Sequence, residues 1–434
     1  MKVFLNMVGC RLNQAEIEQL AFSLVEGGVE VVSDPVFADI IIVNTCCVTA
    51  KAAADSRKML RHHKAHFPDA RVLGTGCWIS LPQAKSEIYK RIYDRAYDNS
   101  SKDKILNDLL EEDIRNGNNN VQKRPDLGTR RRTRGFVKVQ DGCDNRCAYC
   151  LTQVVRGRSR SVPIENVISY LGKLQQHGVR EAVLTGVQLG SWGKDLKPRT
   201  CLADLVKAIL RETDVERIRL SSIEPWDVNP ELTALFEDPR LCPHLHIPLQ
   251  SGSAVILRSM NRPMTTERYQ GVLRMVREVK PGIAITTDMI CGFPGETEEL
   301  YKQSLDFTES CGFSGGHVFP FSAMEGTAAF SMDGQVQNTV RQQRAKIMRG
   351  LFDKAEKAFA EQRLGTDVQV LFESMLEIEG EQYWQGWSED FLKVLVRSSE
   401  DLRNQILKVH IQSAIPGSRL IGELETSCED HYQT

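Results

Sequence analysis

The sequence has no long apolar run and almost no net charge. The first absence argues against a membrane protein, and the second gives no general sign of a nucleic-acid or membrane partner. No stretch approaches the 18 or more apolar residues that a bilayer-spanning helix needs, so we predict no membrane segment. The 55 Lys and Arg residues nearly balance the 57 Asp and Glu residues, so overall charge favours neither a nucleic-acid nor a membrane partner. Low-complexity tracts are also missing, and 434 residues are enough for about three domains, each with its own core.

A secretory signal pattern is absent as well, because the chain opens with the strand-like run VFLNMV. We therefore predict a cytoplasmic protein. Twelve cysteines in a reducing compartment indicate metal binding and buried thiols rather than a disulfide framework.

The most informative motif is the C-x3-C-x2-C run formed by Cys143, Cys147 and Cys150. Structural zinc uses four Cys or His ligands, whereas a 4Fe-4S cluster held by three thiolates leaves one iron open to a small molecule. The spacing resembles that of the radical SAM enzymes, in which the open iron binds S-adenosylmethionine and passes it one electron. The alternative is a redox-inert cysteine cluster in a loop.

Three further cysteines each follow a predicted strand of an α/β parallel sheet. We predict strands at residues 3–7, 39–43 and 71–73 and helices at 14–25 and 51–66. Ligands of open parallel sheets bind beyond the carboxyl ends of the strands, so cysteines at three such ends can converge.

The three cysteines are Cys10, Cys46 and Cys77, and their number again fits an iron-sulfur cluster better than structural zinc. We therefore predict a second metal centre. Separate buried cysteines are the alternative, and Cys47 could replace Cys46 as the ligand.

The rest of the chain divides into three further parts. Residues 111–135 read as a polar linker ending in a basic run, and residues 136–363 repeat a strand-then-helix unit about six times, which suits an incomplete (β/α)6 barrel. Residues 364–427 carry short strand patterns typical of a small β-barrel. The N-terminal α/β domain then spans residues 1–110.

Taken together, the two cysteine trios and this order of domains resemble the methylthiotransferases of the radical SAM superfamily over nearly the whole chain. The resemblance implies a flavodoxin-like sheet, a radical SAM barrel and a C-terminal TRAM domain. The family has three branches, which modify isopentenyladenosine in tRNA, threonylcarbamoyladenosine in tRNA, or an aspartate of a ribosomal protein. The segments that look like the threonylcarbamoyladenosine branch are residues 9–14, 184–196, 217–227, 243–252 and 317–322.

This resemblance implies a two-part reaction at position 37, next to the tRNA anticodon. One S-adenosylmethionine methylates a sulfur on the cluster of Cys10, Cys46 and Cys77. A second is cleaved at the cluster of Cys143, Cys147 and Cys150, giving a 5′-deoxyadenosyl radical that removes hydrogen from adenine C2. The methylthio group then joins that carbon.

The resemblance also implies contacts to S-adenosylmethionine. Tyr149 would lie near its adenine and Gly186 near its methionine amino group, while Glu224, Gln250 and Asp288 lie at strand ends of the predicted barrel. These polar groups have an equally plausible role as surface or supporting residues.

Two basic runs flank the predicted active-site mouth and suggest tRNA phosphate contacts. The residues singled out are Arg131, Arg132, Arg134, Arg156 and Arg158. The acidic tail, by contrast, favours a basic ribosomal protein as substrate, and a non-enzymatic RNA-binding metalloprotein is the remaining alternative. We expect a monomer that receives electrons from a donor such as flavodoxin or ferredoxin.

Overall fold

The computed structural model describes residues 1–115, 133–415 and 417–425, and its first sheet has five parallel strands in the order β2-β1-β3-β4-β5. This is the flavodoxin-like order that the resemblance implied. The central strand β3 is buried along its whole length, as expected when helices cover both faces of a parallel sheet. The strands are β1 Lys2–Met7, β2 Glu30–Val32, β3 Ile40–Thr45, β4 Arg71–Gly76 and β5 Arg95–Tyr97. The helices are α1 Arg11–Glu26, α2 Ala50–His66, α3 Glu87–Lys90 and α4 Lys104–Arg115.

The middle of the chain folds as six parallel strands in chain order, with helices between them. Two three-stranded sheets, β6-β9-β10 and β11-β12-β13, are linked by single bridges from Ile218 to Leu241 and from Ser222 to His246. No pairing joins β6 to β13 in the described residues, so the barrel is open. The strands are β6 Arg134–Lys138, β7 Gln140–Asp141, β8 Arg160–Ser161, β9 Glu181–Thr185, β10 Arg217–Leu220, β11 His244–His246, β12 Ala284–Cys291 and β13 Gly315–Pro320. The helices are α5 Thr152–Arg156, α6 Ile164–Gln176, α7 Leu202–Glu212, α8 Pro230–Ala234, α9 Ala254–Ser259, α10 Thr266–Val279 and α11 Glu298–Ser310.

A long helix, α12 Asn338–Glu361, leads from the open barrel to a closed five-stranded β-barrel with the order β14-β15-β16-β18-β17. Its core is apolar and includes Val370, Phe372, Trp384 and Val394. The strands are β14 Asp367–Ile378, β15 Glu381–Ser388, β16 Lys393–Val396, β17 Ile406–Ile415 and β18 Arg419–Leu424. Among the helices of the described ranges, none is long and apolar enough to cross a bilayer.

Buried arginines attach this C-terminal barrel to the open barrel. Arg217 and Arg219 on β10 share the carboxylate of Glu181 on β9, and all three side chains are almost fully buried. The same guanidinium groups donate to the main-chain carbonyls of Trp387, Ser388 and Glu389. The two barrels are therefore joined by charge-assisted hydrogen bonds, whose carboxylate neutralises part of the buried charge.

Candidate active site

One cavity of about 910 Å³ lies where the first sheet, the open barrel and the C-terminal barrel meet. The carboxyl ends of the parallel strands face it, as expected for both kinds of sheet. Its wall from the first sheet includes Gly9, Cys10, Arg11, Cys46, Cys47 and Cys77. Its wall from the open barrel includes Gly186, Ser221, His246, Asp288 and His317. The C-terminal barrel contributes Trp387, Asp390, Phe391 and Lys393.

The loops after β1, β3 and β4 bring Cys10, Cys46 and Cys77 to the same end of this cavity. Cys10 is the N-cap residue of α1, and Gly9 before it has φ +116°. A Cβ on Gly9 would lie 2.5 Å from Cys46 Cβ and 2.7 Å from its Sγ, so only glycine allows this approach. Asn13 of α1 fixes two of the loops, because its side-chain amide donates to the carbonyls of Val8 and Thr45.

Cys46 and Cys47 both line the cavity and both are buried, but Gly9 packs against Cys46. The main chain of Cys46 is held by Ser56, which accepts from its N–H and donates to its carbonyl. Cys47 belongs to an apolar cluster with Trp78 and Ile79, which also contains Cys77 of the trio, so the contact with Gly9 is what distinguishes Cys46. These contacts favour Cys46 as the partner of Cys10.

The second trio lies in the loop after β7, and neighbouring segments of the barrel hold that loop. The N–H of Ala148 donates to the carbonyl of Met260, and the side-chain amide of Asn261 donates to the carbonyl of Arg146. The residues after Cys150 enter the cavity lining at Leu151 and Thr152. The cavity lining therefore reaches the residues directly after the second trio, whereas Cys143, Cys147 and Cys150 are not among the lining residues.

Cys47, which is next to Cys46 of the first trio in the chain, lies near the second trio. Burial raises the pKa of the Cys47 thiol, and the neighbouring thiols that add to this increase include Cys150 of the second trio. Burial also raises the pKa of Cys46 and of Cys143 to about 12. Metal ligation must displace these protons, since the thiolate is the ligand.

The arrangement fits three-thiolate iron-sulfur clusters better than zinc. Zinc with Zn–S bonds of about 2.3 Å would hold its sulfurs about 3.8 Å apart. In the described part of the chain, one set of three possible ligand atoms lies within 4.8 Å of one another, and it contains no cysteine. Both trios are thus spread more widely than a zinc site, and all of their thiols are free.

The residues predicted to contact S-adenosylmethionine separate into two groups. Gly186 and Asp288 line the cavity. Glu224 and Tyr149 instead meet at Arg262, whose guanidinium lies 2.5 Å from the Glu224 carboxylate and 3.3 Å from the Tyr149 hydroxyl. Burial raises the pKa of the Cys147 thiol, Glu224 raises it further, and a hydrogen bond with Tyr149 lowers it. Glu224 and Tyr149 therefore lie beside the second trio.

Gln250 adopts a left-handed conformation with φ +71° next to β12. Its N–H donates to the carbonyl of Asp288, and its carbonyl accepts from Ile290. The backbone of Gln250 is therefore fixed by the strand that carries Asp288, and it is not among the residues that line the cavity.

A carboxylate shared by two imidazoles forms one wall of the cavity. The same Asp288 oxygen lies 3.2 Å from His246 Nε2 and 3.2 Å from His317 Nδ1. Burial alone would raise the pKa of Asp288, but both histidines outweigh it and lower the pKa far below its ordinary value. The hydrogen bond to Asp288 in turn raises the pKa of His317.

The prediction that Arg156 contacts tRNA phosphates is wrong, because its side chain is buried between the first sheet and the open barrel. Its guanidinium donates to Asn13, to Glu16 and to Asp141 at 2.7, 3.0 and 2.9 Å. Its Nε also donates to Cys77 Sγ at 3.1 Å. Arg156 therefore supports the first trio and leaves no donor for RNA.

Arg134 is also unsuited to the predicted role. Its guanidinium pairs with Glu373 at 2.7 Å and lies over the ring of Trp387, so the acid of the C-terminal barrel already neutralises it. Arg158 is different, because 88% of its side chain is exposed and its one ion pair, with Asp144, is at the surface. Arg131 and Arg132 lie outside the described residues.

Several cavity residues were not singled out from the sequence. Arg11 follows Cys10 directly, and its guanidinium lies 5.2 Å from the ring centre of Phe391. Phe391 stacks on Trp387 with ring centres 4.5 Å apart. Burial, together with the nearby charges of Arg134 and Arg219, lowers the pKa of Arg11 to about 10, so it stays charged at neutral pH.

Two family models match the chain, one described as the radical SAM superfamily over residues 137–308 and one as "Uncharacterized protein family UPF0004" over residues 2–96. The threonylcarbamoyladenosine tRNA methylthiotransferase MtaB of Bacillus subtilis is 32% identical over 95% of this chain and 94% of its own length. The chain belongs to the radical SAM methylthiotransferase family. A radical SAM domain implies a 4Fe-4S cluster and S-adenosylmethionine.

Other similarities support the same family but do not show to which of its branches the chain belongs. The tRNA-2-methylthio-N(6)-dimethylallyladenosine synthase of Moorella thermoacetica is also 32% identical, over 94% of each chain. A solved radical S-adenosylmethionine methyltransferase, TsrM from Kitasatospora setae, has a TM-score of 0.55 at 16% identity and covers 76% of each chain. That structure supports the fold alone.

Proposed function

We propose that this methylthiotransferase replaces the C2 hydrogen of N6-threonylcarbamoyladenosine at position 37 of tRNA with a methylthio group. The observation that carries this proposal is a cavity that joins the trio of Cys10, Cys46 and Cys77 to the strand ends of the open barrel. A nucleoside bound there would contact the first trio and lie beside Leu151 and Thr152, which directly follow the second trio. A volume of about 910 Å³ is in the range of cavities that hold a cofactor and a substrate group.

In this proposal each trio holds one 4Fe-4S cluster. When bound, the clusters and S-adenosylmethionine supply the methylated sulfur and the 5′-deoxyadenosyl radical needed to replace hydrogen at an unactivated carbon. The protein positions the base and excludes water. Gly186 leaves room close to the barrel strands, since a side chain there would meet Gln140 at 2.8 Å, and Phe391 with Trp387 forms an aromatic wall.

The polar lining supports threonylcarbamoyladenosine over its dimethylallyl counterpart. Arg11 brings a positively charged group to the cavity, whereas His246, Asp288 and His317 already pair with one another. A dimethylallyl group is apolar and would leave the guanidinium of Arg11 without an acceptor, which is costly in a partly buried position. The threonyl group carries a hydroxyl and a carboxylate that can pair with it.

The test is anaerobic reconstitution followed by incubation with separate substrates. The substrates are tRNA carrying threonylcarbamoyladenosine, tRNA carrying dimethylallyladenosine, and the ribosomal protein of the third branch. Mass spectrometry should find the added methylthio group on threonylcarbamoyladenosine alone. Product on either of the other two substrates, with none on threonylcarbamoyladenosine, would overturn the proposal.

Cysteine variants test whether the two trios have different roles in the reaction. Replacing Cys143, Cys147 or Cys150 with Ala should abolish 5′-deoxyadenosine formation. Replacing Cys10 or Cys77 with Ala should spare some cofactor cleavage and end methylthio transfer. Methylthiolated product from a Cys10→Ala enzyme would contradict the sulfur-donor role of the first trio.

A further inference from the structure

Arg11 is a partly buried cation that lines the cavity without an acceptor among the described residues. It is the first residue of α1 and lies next to Cys10, and both residues line the cavity. Its guanidinium lies over Phe391, but within the described residues it has no hydrogen bond or ion pair. A guanidinium has five N–H donors, and keeping them unpaired in a partly buried position is costly.

Three other charged groups that line this cavity already have partners. Arg156 pairs with Glu16 and Asp141, Asp288 is held between two histidines, and Asp390 pairs with Arg363 at 2.5 Å. None of these acids makes a hydrogen bond to Arg11. The missing partner of Arg11 is therefore expected to come from the bound substrate.

Two further features make this end of the cavity suitable for an anion. Helix α1 begins at Arg11, and the side chain of its N-cap, Cys10, accepts no hydrogen bond from the backbone N–H groups of the first turn. The first backbone N–H groups of a helix are free donors at the positive end of its dipole. Arg134 and Arg219 add positive potential at Arg11, and Glu181 and Asp288, which add negative potential there, are each already paired with other cationic or imidazole groups.

We propose that Arg11 binds the carboxylate of the threonylcarbamoyl group and so selects this nucleoside over dimethylallyladenosine. The inference rests on the proposed function, because it names the group that recognises that substrate. Arg11 adjoins Cys10, where the sulfur donor would lie, so it faces the modified base rather than the sugar-phosphate backbone. Guanidinium and carboxylate match in a planar, two-bonded geometry that a dimethylallyl group cannot offer.

The experiment measures binding of anticodon stem-loop RNA to the reconstituted enzyme without reductant, so that no turnover occurs. Three RNAs are compared, carrying threonylcarbamoyladenosine, the same nucleoside with its carboxylate converted to an amide, and dimethylallyladenosine. The wild-type enzyme should bind the carboxylate form about 10- to 100-fold more tightly than the amide, the range expected for a hydrogen bond to a charged group. Arg11→Met should bind the carboxylate and amide forms about equally, within roughly twofold.

Two further variants separate recognition from general charge. Arg11→Lys keeps the positive charge and should keep part of the preference for the carboxylate. Lys393→Met removes one positive charge from the same cavity, at a residue whose ammonium lies over Trp387, and should keep most of the preference. Iron content and circular dichroism verify that each variant is folded, and the amide RNA tests the wild-type enzyme even if Arg11→Met does not fold.

The outcomes distinguish this inference from the proposed function. The role of Arg11 is overturned if Arg11→Met keeps the wild-type preference for the carboxylate RNA. It is also overturned if the wild-type enzyme binds the carboxylate and amide RNAs equally. Neither result contradicts methylthiolation of threonylcarbamoyladenosine. A wild-type enzyme that modifies dimethylallyladenosine alone overturns the proposed function itself.

Discussion

Gly9→Ala should remove the first metal centre without touching a cysteine. The added methyl group would lie 2.5 Å from Cys46 Cβ, whereas carbon atoms in contact are normally about 3.5–4.0 Å apart. One of the two loops must therefore move by about 1 Å. Because Cys10 follows Gly9 directly, this movement changes the separation of two of the three thiols.

The free-energy cost of Gly9→Ala comes partly from backbone strain and partly from the collision with Cys46. A second glycine, Gly28, measures the backbone strain by itself. A non-glycine residue at φ +116° is strained by about 1–3 kcal/mol. Gly28 has φ +84° and no atom within 4 Å of its added Cβ, so Gly28→Ala carries similar backbone strain without the collision. Any additional effect of Gly9→Ala comes from the displaced cysteines.

The assay combines iron analysis with product analysis on enzyme reconstituted under anaerobic conditions. Gly9→Ala should lose about half of the bound iron, because one of two equal clusters is lost. It should still form 5′-deoxyadenosine but no methylthiolated RNA, whereas Gly28→Ala should match the wild type in iron content and product. Full iron content and full methylthio transfer in Gly9→Ala would refute the convergence of the three loops on one metal centre.

Three further substitutions follow from the same structure. Gly142→Ala should abolish 5′-deoxyadenosine formation, because the added Cβ would lie 2.0 Å from the carbonyl oxygen of Arg158 and distort the loop before Cys143. Deoxyadenosine still detected by chromatography would contradict this. Arg156→Met should lower the free energy of unfolding by about 1–3 kcal/mol in denaturant titrations, because Glu16 and Asp141 lose buried hydrogen bonds but keep Lys102 and Lys138 as partners; an unchanged midpoint would contradict it. Burial alone would raise the pKa of Glu181, but its two arginines outweigh burial and lower it to about 2. Glu181 therefore stabilises the fold above about pH 4.3, and this contribution is lost as the pH falls towards 2; thermal unfolding of Glu181→Gln should show a weaker acid dependence than the wild type.

Much of the fold was predictable because its hydrophobic periodicity is local. The three predicted strands of the first sheet are present with shifts at their ends, and the barrel has the six parallel strands expected from its repeated units. Strand β11 ends at His246, since Pro248 and the left-handed Gln250 turn the chain. Strands β2, β5, β7, β8 and β15 were not predicted. The first four have only two or three residues each, and β15 contains Gly386, where a side chain would meet the Leu371 carbonyl at 2.5 Å.

The residues of the site were predictable where the spacing of cysteines in the sequence indicates a metal site. They were less predictable where hydrogen-bond partners come from distant parts of the chain. The convergence of the first trio follows from strand ends, a general property of parallel sheets. The burial of Arg156 does not follow from its basic neighbours, because Asn13 and Glu16 lie more than 130 residues earlier in the chain. Arg11 carried a local signal, since it adjoins a predicted metal ligand, but its lack of an acceptor is visible only in three dimensions.

The C-terminal barrel shows why overall charge was a poor guide to the substrate. Its acids suggested a surface that repels RNA, yet Glu373 pairs with Arg134, Asp390 pairs with Arg363, and Asp367 pairs with Lys408. These ion pairs remove much of the negative potential that the composition implied.

The same barrel closes one side of the cavity with Phe391, which lies under both Arg11 and Arg219. The arginines of β10 hold this aromatic residue in place through the main chain of residues 387–389, and the ring in turn supports Arg11. In the proposed function, the C-terminal barrel would therefore contribute to substrate recognition from inside the cavity. Loosening its attachment at Glu181 should weaken recognition of the nucleoside as well as stability.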